Sequence, residues 1–490
     1  MKWSFLGFDF GASNGRAMLG VFDGEKLEIR EIHRFPNDPV KLGGRLVWDV
    51  PRLFYEMKQA LLKVGREGIR LSAIGIDTWG VDFGLLDKNG ELIGLPVHYR
   101  DARTDGIIEK CFEIMPKEEI FRNTGLAFMQ FNTLYQLAAM KRQGDPALEI
   151  ADTLLFMPDL LAYFLTGKKG TEYTDASTSQ LVDPRTRDWS GAIFESFGLP
   201  RHIMTKIEPA GTLRGTLLPE IAEECGVGEV PVIAVGGHDT ASAVASVPAS
   251  DPDFAYISSG TWSLLGAEIT EPLCDKAVME ANYTNEGGVC GTIRFLKNIM
   301  GLWIVQECKR EWERRGRDYS YAELVELAEK EPAFRSVIDV DDNRFYAPGN
   351  MPERIREYCR ETGQYVPQTE GEITRIVYES LALKYRWGLE RLEKDMLKKQ
   401  IKVLHIVGGG SKNAILNQFT ANAIGRPVLA GPGEGTVIGN LLMQAMALGC
   451  VKDLPGLRAV VARSFPMDRY EPRDCAAWDA AYERLLALEK

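Results

Sequence analysis

One pattern occurs twice in this sequence and constrains its fold more than any other feature. Residues 6–10 are apolar and β-prone, residues 11–15 (Gly-Ala-Ser-Asn-Gly) favour a turn, and residues 16–22 are β-prone again. The same order returns as a strand at residues 254–257, a turn at residues 258–261 and a further strand. Each half then continues with a helix, a buried strand and another helix. We therefore predict an α/β fold of two related halves that face each other across a cleft.

The length of the chain also favours two domains. At 490 residues it exceeds what one hydrophobic core usually serves, so two domains of roughly 200–250 residues are expected. The Pro-Ala-Ser-Asp-Pro segment at residues 248–252 is the best boundary candidate. We predict an N-terminal domain over residues 1–247, a C-terminal domain over residues 253–450 and a helical extension over residues 451–490. The mainly helical stretch at residues 105–225 is predicted to be an insertion that decorates a smaller core.

Charge and composition exclude several classes of partner. The net charge of −11 and the isoelectric point near 5.3 provide no basic field for nucleic acid or an anionic membrane. The eight cysteines show no ligand-like spacing, so reduced thiols are expected and a zinc site is not. Lys2 precedes any signal-type apolar core, and no apolar run approaches the length of a membrane span. We expect a cytoplasmic protein, either a monomer or a small homo-oligomer.

Asp239 follows a predicted buried strand at residues 230–235. Two glycines end that strand, and a helix-prone stretch of small residues begins after them. Asp239 would then lie at the carboxyl edge of a sheet, where open α/β folds place reactive groups. Taken alone, such an aspartate is more often a helix cap than a catalyst.

Three glycine-rich turns are candidate ligand-binding segments. In the first, successive N–H groups could form an anion site, with Ser13, Asn14 and Arg16 as side-chain donors. It is not a Walker loop, because the lysine is missing and a strand follows instead of a helix. The turn at residues 258–261 repeats this device, so both halves would bind one phosphate chain. The glycines at residues 408–410 would let a base or a sugar lie against the backbone, although a plain strand-to-helix turn is the alternative.

These motifs together resemble those of the FGGY carbohydrate kinases, members of the actin-like ATPase superfamily. The likeness extends from residue 4 to about residue 450, and several longer strings are more selective than the turns. Those strings lie at residues 75–83, 131–137, 238–243, 258–264, 284–288 and 297–303.

The resemblance implies a fold, an activity and a set of site residues. The fold would be two duplicated ribonuclease H-like domains, and the activity ATP-dependent phosphorylation of a small sugar with Mg²⁺. Asp239 would be the proton acceptor, and Asp9 would hold Mg²⁺, either directly or through water. The sugar would contact Gly80, His238, Asp239, Thr240 and Asn298. The nucleotide would contact Ala12, Ser13, Asn14, Gly15, Arg16, Thr261, Gln306 and Gly409.

The favoured acceptor is the 1-hydroxyl of L-rhamnulose, and other ketoses such as L-fuculose or D-xylulose are alternatives. An actin- or chaperone-like assembly protein is a competing class, but the long insertion and the Gly-His-Asp-Thr aspartate favour an enzyme. An NAD-linked dehydrogenase is disfavoured because the dinucleotide fingerprint is absent. A hydroxyl is a poor nucleophile, so a nearby carboxylate that takes its proton is the expected aid to direct transfer.

Some features keep two interpretations. Residues 98–104 could touch a substrate or lock the lobe through ion pairs, and the structural role is favoured. Trp79 could line the sugar pocket or belong to the core. Residues 172–179 are predicted to be a polar loop, of which residues 173–177 could either reach the sugar or only satisfy one another.

Overall fold

The computed structural model of the protein describes residues 2–488. They form helices and sheets, and the two large sheets contain both parallel and antiparallel strands. The strands are β1 Trp3–Phe10, β2 Asn14–Phe22, β3 Leu27–Pro36, β4 Val40–Leu42, β5 Arg45–Val47, β6 Ala73–Thr78, β7 Phe83–Leu86, β8 Thr153–Phe156, β9 Thr171–Glu172, β10 Val182–Asp183, β11 Asp188–Trp189, β12 Ile207–Glu208, β13 Thr212–Thr216, β14 Pro231–Ala234, β15 Phe254–Ser259, β16 Trp262–Ile269, β17 Thr284–Gly287, β18 Ile293–Met300, β19 Val403–Val407, β20 Val428–Ala430 and β21 Asp468–Tyr470.

The α-helices lie between and after these strands along the chain. They are α1 Val50–Arg66, α2 Ile107–Ile114, α3 Lys117–Thr124, α4 Thr133–Gln143, α5 Ala147–Ile150, α6 Met157–Thr166, α7 Tyr173–Ala176, α8 Gly191–Phe197, α9 Pro219–Cys225, α10 Asp239–Ala245, α11 Lys276–Glu280, α12 Trp303–Arg314, α13 Tyr321–Lys330, α14 Met351–Glu361, α15 Glu370–Arg391, α16 Ala414–Ile424, α17 Gly435–Ala447, α18 Leu454–Ser464 and α19 Cys475–Leu488. Between residues 2 and 488, none of the helices combines the length and apolar character needed to cross a membrane.

The chain divides into two compact units. The first comprises the residues up to Ser250, Glu268–Phe295 and Gly435–Ser464, and the second comprises the stretches between and after these. One changeover falls between Ser250 and Asp251, inside the proline-bounded segment. The predicted domain limits follow the order of the sequence, whereas the units are built from interleaved segments, so those limits stay a prediction.

The sheet of the first unit runs in the order β13-β14-β6-β1-β2-β3. Strands β1, β2 and β3 form an antiparallel meander, as the alternating sequence predicts. Strands β6 and β14 pair in parallel on the other side of β1, so three strands end at one edge of the sheet. This edge carries the candidate catalytic residues.

Helix α1 covers one face of that sheet. Asp49 caps its first turn by accepting a hydrogen bond from the Arg52 N–H at 3.1 Å, and Pro51 occupies the first turn, where a missing N–H costs nothing. Buried apolar residues at helical spacing, among them Leu53, Met57 and Leu61, pack into the core.

The predicted insertion is largely helical and has a core of its own. Leu134, Tyr135, Phe156, Trp189 and Phe194 belong to one buried cluster within it. This separate core gives the insertion a defined shape, so that it can hold turns of the sheet in fixed positions.

Residues 172–180 differ from the predicted polar loop. They form the short helix α7 and a following 3-10 turn, and all of them are buried. Polar side chains can be buried here because they bond to neighbouring backbone groups: the hydroxyls of Ser177, Thr178 and Ser179 donate to carbonyls three residues earlier.

The second unit repeats the strand pattern, in the order β16-β15-β19-β20-β21. Strands β15 and β16 are antiparallel, and β19 and β20 continue in parallel from β15. Helix α15, expected over residues 373–396, starts earlier because Thr369 and Glu372 form a capping box. The α/β class and the two-part organisation predicted from the repeated pattern are confirmed.

Candidate active site

Three aspartates lie at the carboxyl edge of the first sheet. Asp9 and Asp77 are register partners on the parallel strands β1 and β6. The Thr78 N–H donates to the Gly237 carbonyl at 2.8 Å, which fixes the segment after β14 beside β6. Asp239 begins α10 directly after this segment, and its side chain is 34% exposed. Asp239 is therefore a carboxylate within reach of a ligand.

Asp77 is completely buried behind this edge. Burial raises the pKa of Asp77 well above its ordinary value, and the nearby charges of Asp9 and Asp239 raise it further. Its Oδ2 accepts a hydrogen bond from Asn440 at 2.5 Å, whereas Oδ1 has no hydrogen-bond partner. The sequence analysis did not assign Asp77 to the site. Its position is nevertheless similar to that of Asp239, because Asp77 lies at the end of a buried strand and Asp239 comes after one.

Glu172 fixes the loop that leads into Asp239 through hydrogen bonds. Its Oε2 accepts hydrogen bonds from the Gly237 N–H at 3.0 Å and from the Thr174 and Asp175 N–H groups. The Thr174 hydroxyl accepts from the His238 N–H at 3.2 Å. A Cβ on Gly237 would lie 2.9 Å from the Glu172 carboxylate, so glycine permits this approach. Glu172 is a further residue that the sequence analysis did not assign to the site.

Burial raises the pKa of Glu172 from 4.5 to about 7. A raised pKa means that the folded protein prefers the protonated form, so this contribution to stability is fully present below pH 4.5. It is lost as the pH rises through about 7, and the change corresponds to roughly 3 kcal/mol.

We predict that Glu172→Gln will flatten the pH dependence of stability over this window. Because Gln is neutral at every pH, the variant should gain stability relative to the parent protein as the pH rises from about 5 to about 8. Urea unfolding midpoints at both pH values measure this change. Exposed Glu195→Gln is the matched control and should leave the profile unchanged, whereas equal slopes for Glu172→Gln and the parent would contradict the prediction.

His238 contacts Asp239 on one side and a buried ion pair on the other. Its Nε2 lies 3.4 Å from Asp239 Oδ1, and its Nδ1 lies 3.0 Å from Arg294 Nη2. Arg294 is fully buried and pairs with Glu286 at 3.1 Å. Burial would raise the pKa of Glu286, but the opposing effects of its neighbours, of which the Arg294 charge is the largest, hold the pKa below its ordinary value. Thr240 completes the group, since its hydroxyl donates to Asp239 Oδ1 at 3.1 Å.

Gly80 lies in a tight turn after β6. A Cβ at this position would be 2.9 Å from the Thr178 side chain, so no larger residue fits without movement. Val81 follows with φ of 69°, an uncommon conformation for a β-branched residue. Its N–H donates to Thr178 Oγ1 at 3.0 Å, and its carbonyl accepts from Thr133 Oγ1 at 2.7 Å. The insertion thus holds the turn that was predicted to contact a sugar.

A buried aromatic cluster surrounds Asp82. Its Oδ2 accepts hydrogen bonds from Trp48 Nε1 at 2.6 Å and Trp79 Nε1 at 3.1 Å, and the two indole rings lie 3.9 Å apart. Burial raises the pKa of Asp82 to about 6. His98 packs on Trp48, and burial lowers the pKa of its ring to about 4. Of the two roles left open for Trp79, the structure supports the core, because its ring is buried and its N–H is bonded.

The first glycine turn leaves backbone donors free. Within residues 2–488, the N–H groups of Ala12 and Ser13 donate to no protein group, whereas the Gly11 N–H bonds to Asn14. Arg16 donates to Asp9 Oδ2 from Nε at 2.9 Å and from Nη2 at 2.8 Å. The Phe35 ring fills the space of a side chain at residue 15, which explains Gly15.

In the second unit, Thr261 and Gln306 lie together, since the Thr261 hydroxyl donates to Gln306 Oε1 at 3.3 Å. Gly409 is exposed, and a Cβ there would meet open space. Gly408 and Gly410 instead pack closely against Ser259, so the need for these two glycines is structural. Asn298 is half-buried on β18.

Family models and individual relatives indicate the same protein family for this chain. The N-terminal and C-terminal domain models of the FGGY family of carbohydrate kinases match residues 4–245 and 255–448. A protein named rhamnulokinase from Bacteroides thetaiotaomicron is 48% identical over 482 residues, which is 98% of this chain and 98% of the relative. A Bacillus subtilis protein of the same name is 41% identical over 470 residues, which is 96% of each chain.

Solved structures share the fold at low sequence identity. The xylulose kinase from Lactobacillus acidophilus has a TM-score of 0.81 at 16% identity, over 99% of this chain and 97% of that chain. The glycerol kinase from Plasmodium falciparum with ADP has a TM-score of 0.79 at 16% identity, over 99% of this chain and 97% of that chain. The chain therefore belongs to the FGGY family of carbohydrate kinases.

Proposed function

We propose that this protein transfers the γ-phosphoryl group of ATP to the 1-hydroxyl of L-rhamnulose and acts in the cytoplasm. The observation that carries the choice of sugar is the identity of 48%, over 98% of both chains, with a protein named rhamnulokinase. The exposed carboxylate of Asp239 at the sheet edge supports an enzyme that acts on a hydroxyl.

In the proposed reaction, Asp239 accepts the proton of the sugar hydroxyl while that oxygen attacks the γ-phosphorus. The new O–P bond forms as the bond from the γ-phosphorus to the β–γ bridging oxygen breaks, and ADP leaves. His238 and Thr240, which both contact the Asp239 carboxylate, would orient it toward the sugar. Gly80 would let the sugar approach the backbone, and Asn298 would add a side-chain contact from β18.

The phosphates of ATP would bind the free N–H groups of Ala12 and Ser13, together with Asn14, Gly15 and Arg16. Thr261, Gln306 and the exposed backbone of Gly409 are the proposed contacts from the second unit.

The residues present fit Mg²⁺, which prefers oxygen ligands and in kinases keeps several waters and phosphate oxygens. No three His, Cys, Asp or Glu side chains in the described part of the chain form a metal cluster. Asp9 is the residue that would hold the ion, directly or through water. Bound Mg²⁺ would neutralise charge on the phosphates.

The test is ADP release with Mg-ATP over L-rhamnulose, L-fuculose, D-xylulose, L-ribulose, glycerol and no sugar. We predict the highest kcat/KM for L-rhamnulose, by about tenfold or more over the other ketoses, because one or two hydrogen bonds separate them. Preference for another ketose would keep the kinase and reject the proposed sugar. ATP hydrolysis that no sugar stimulates would reject sugar phosphorylation altogether.

A further inference from the structure

His238 stands between the proposed base and a buried guanidinium, and this position determines which of its ring nitrogens carries the proton. We propose that Arg294 is a positioning residue that holds His238 as the neutral Nε2–H tautomer. His238 then presents an N–H group and no lone pair toward Asp239, so that Asp239, and not His238, takes the hydroxyl proton. The catalytic part of this inference rests on the proposed function, whereas the tautomer itself does not.

The first step of the argument is the chemistry of Arg294. A guanidinium in a protein is always charged and can only donate hydrogen bonds. Arg294 Nη2 lies 3.0 Å from His238 Nδ1, so Nδ1 must offer its lone pair to this contact. The guanidinium has little freedom to turn away, because its Nε donates to the Gly287 carbonyl at 2.8 Å and its side chain is fully buried.

Glu286 offers a competing arrangement. If its carboxylate accepted a hydrogen bond from an Nδ1–H group, the Nε2 atom would have a free lone pair, and His238 itself could act as the base. However, Glu286 Oε2 lies 3.4 Å from Nδ1 and makes no hydrogen bond there. This separation exceeds the usual range for N–H···O bonds, so the contact with Arg294 at 3.0 Å decides the tautomer. Glu286 instead balances the charge of Arg294 at 3.1 Å.

The consequence reaches the two oxygens of Asp239. The Nε2–H group lies 3.4 Å from Oδ1, and the Thr240 hydroxyl donates to the same atom at 3.1 Å. Only the Thr240 hydroxyl is within hydrogen-bond range of Oδ1, because 3.4 Å from Nε2 exceeds that range, and Oδ2 receives no hydrogen bond from residues 2–488. The carboxylate is thereby oriented with one oxygen bound to the protein and the other open to a hydroxyl.

The tautomer is measured directly by long-range ¹H–¹⁵N correlation spectra of the protein labelled with [¹⁵N]histidine. The chain has five histidines, and loss of one set of signals in His238→Asn assigns the residue. We expect Nδ1 of His238 to show the shift of an unprotonated ring nitrogen and Nε2 that of an N–H at neutral pH. A protonated Nδ1, in either the neutral or the charged ring, would overturn the proposal without any variant.

Matched variants of the ion pair separate this role from a structural one. Glu286→Gln retains the donor of Arg294, so the tautomer should persist and kcat should stay within about threefold. Arg294→Met removes the donor, so Nδ1–H should form toward Glu286 and kcat should fall about 10²-fold. If the ion pair were only structural, both variants would lose the same partnership and be affected alike.

The double variant Arg294→Met/Glu286→Gln supplies a rescue. The amide of Gln can donate to Nδ1, so the Nε2–H tautomer should return and kcat should recover to within about tenfold of the parent. Circular dichroism checks that each variant folds. A double variant less active than Arg294→Met would count against the proposal. Failure of the sugar panel alone would reject the proposed substrate, but it would leave the tautomer result intact.

Discussion

Asp239→Asn is expected to lower kcat by roughly 10²–10⁴-fold, because an amide cannot take the proton of the sugar hydroxyl. The fold should not change. Asn keeps the size of the side chain, still suits the first turn of α10 and can accept the hydrogen bond that Thr240 donates at 3.1 Å. The KM for ATP should therefore stay close to that of the parent protein. Steady-state release of ADP with saturating L-rhamnulose measures the effect.

Asp188→Asn is a suitable control for this loss. Its side chain is 64% exposed, and its nearest ion-pair partner, Arg201, is 3.9 Å away. The same chemical change there should leave kcat unaltered, because Asp188 is neither a proposed sugar contact nor a proposed nucleotide contact. A kcat for Asp239→Asn within about threefold of the parent would remove Asp239 from the role of base, since a general base contributes far more than that.

Gly439→Ala is expected to destabilise the first unit by roughly 3 kcal/mol or more. Gly439 lies on α17, where that helix crosses α10, and a Cβ there would overlap the carbonyl oxygen of Ser242. The obstacle is backbone, so no side-chain rotation relieves it. Either the two helices separate or α10 shifts, and a shift would also displace Asp239, the first residue of α10. Urea unfolding measures the loss of stability, and kcat measures the displacement.

Gly191→Ala tests whether the crossing itself is responsible. Gly191 begins α8, and a Cβ at that position meets no other atom within 4 Å. The substitution should be neutral or stabilise by about 0.4–1 kcal/mol, because Ala restricts the unfolded chain more than Gly. Equal destabilisation by the two substitutions would show that close packing at Gly439 is not the cause.

The sequence predicts most of this fold because its signals are local. The alternating strands of the first meander and the strand before Asp239 depend on near neighbours along the chain, and both are present. The buried position of residues 172–179 instead involves partners distant in sequence, because Glu172 accepts from Gly237 and Thr178 accepts from Val81. In sequence alone a polar stretch of this kind is indistinguishable from a loop, which is why residues 172–179 were predicted to be a polar loop.

Site residues divide in the same way. Asp239 could be singled out because a strand, two glycines and a helix surround it in sequence. Arg294 and Glu286 could not be singled out, because each lies 48 or more residues from His238 in sequence and contacts it only in the folded protein. Gly408 and Gly410 show a further limit, because the close approach of Ser259 accounts for two glycines of a pattern that also suggests a ligand.

The conformation of Val81 has an evolutionary consequence. A β-branched residue in the left-handed region is unfavourable by roughly 1–2 kcal/mol, and here side chains at positions 133, 136 and 178 of the insertion hold its backbone. The turn beside Gly80 is therefore set by the insertion and not by the sheet. A lineage can thus acquire a new substrate by remodelling the insertion, while strand β1 with Asp9 and the start of α10 with Asp239 stay under separate selection for phosphoryl transfer.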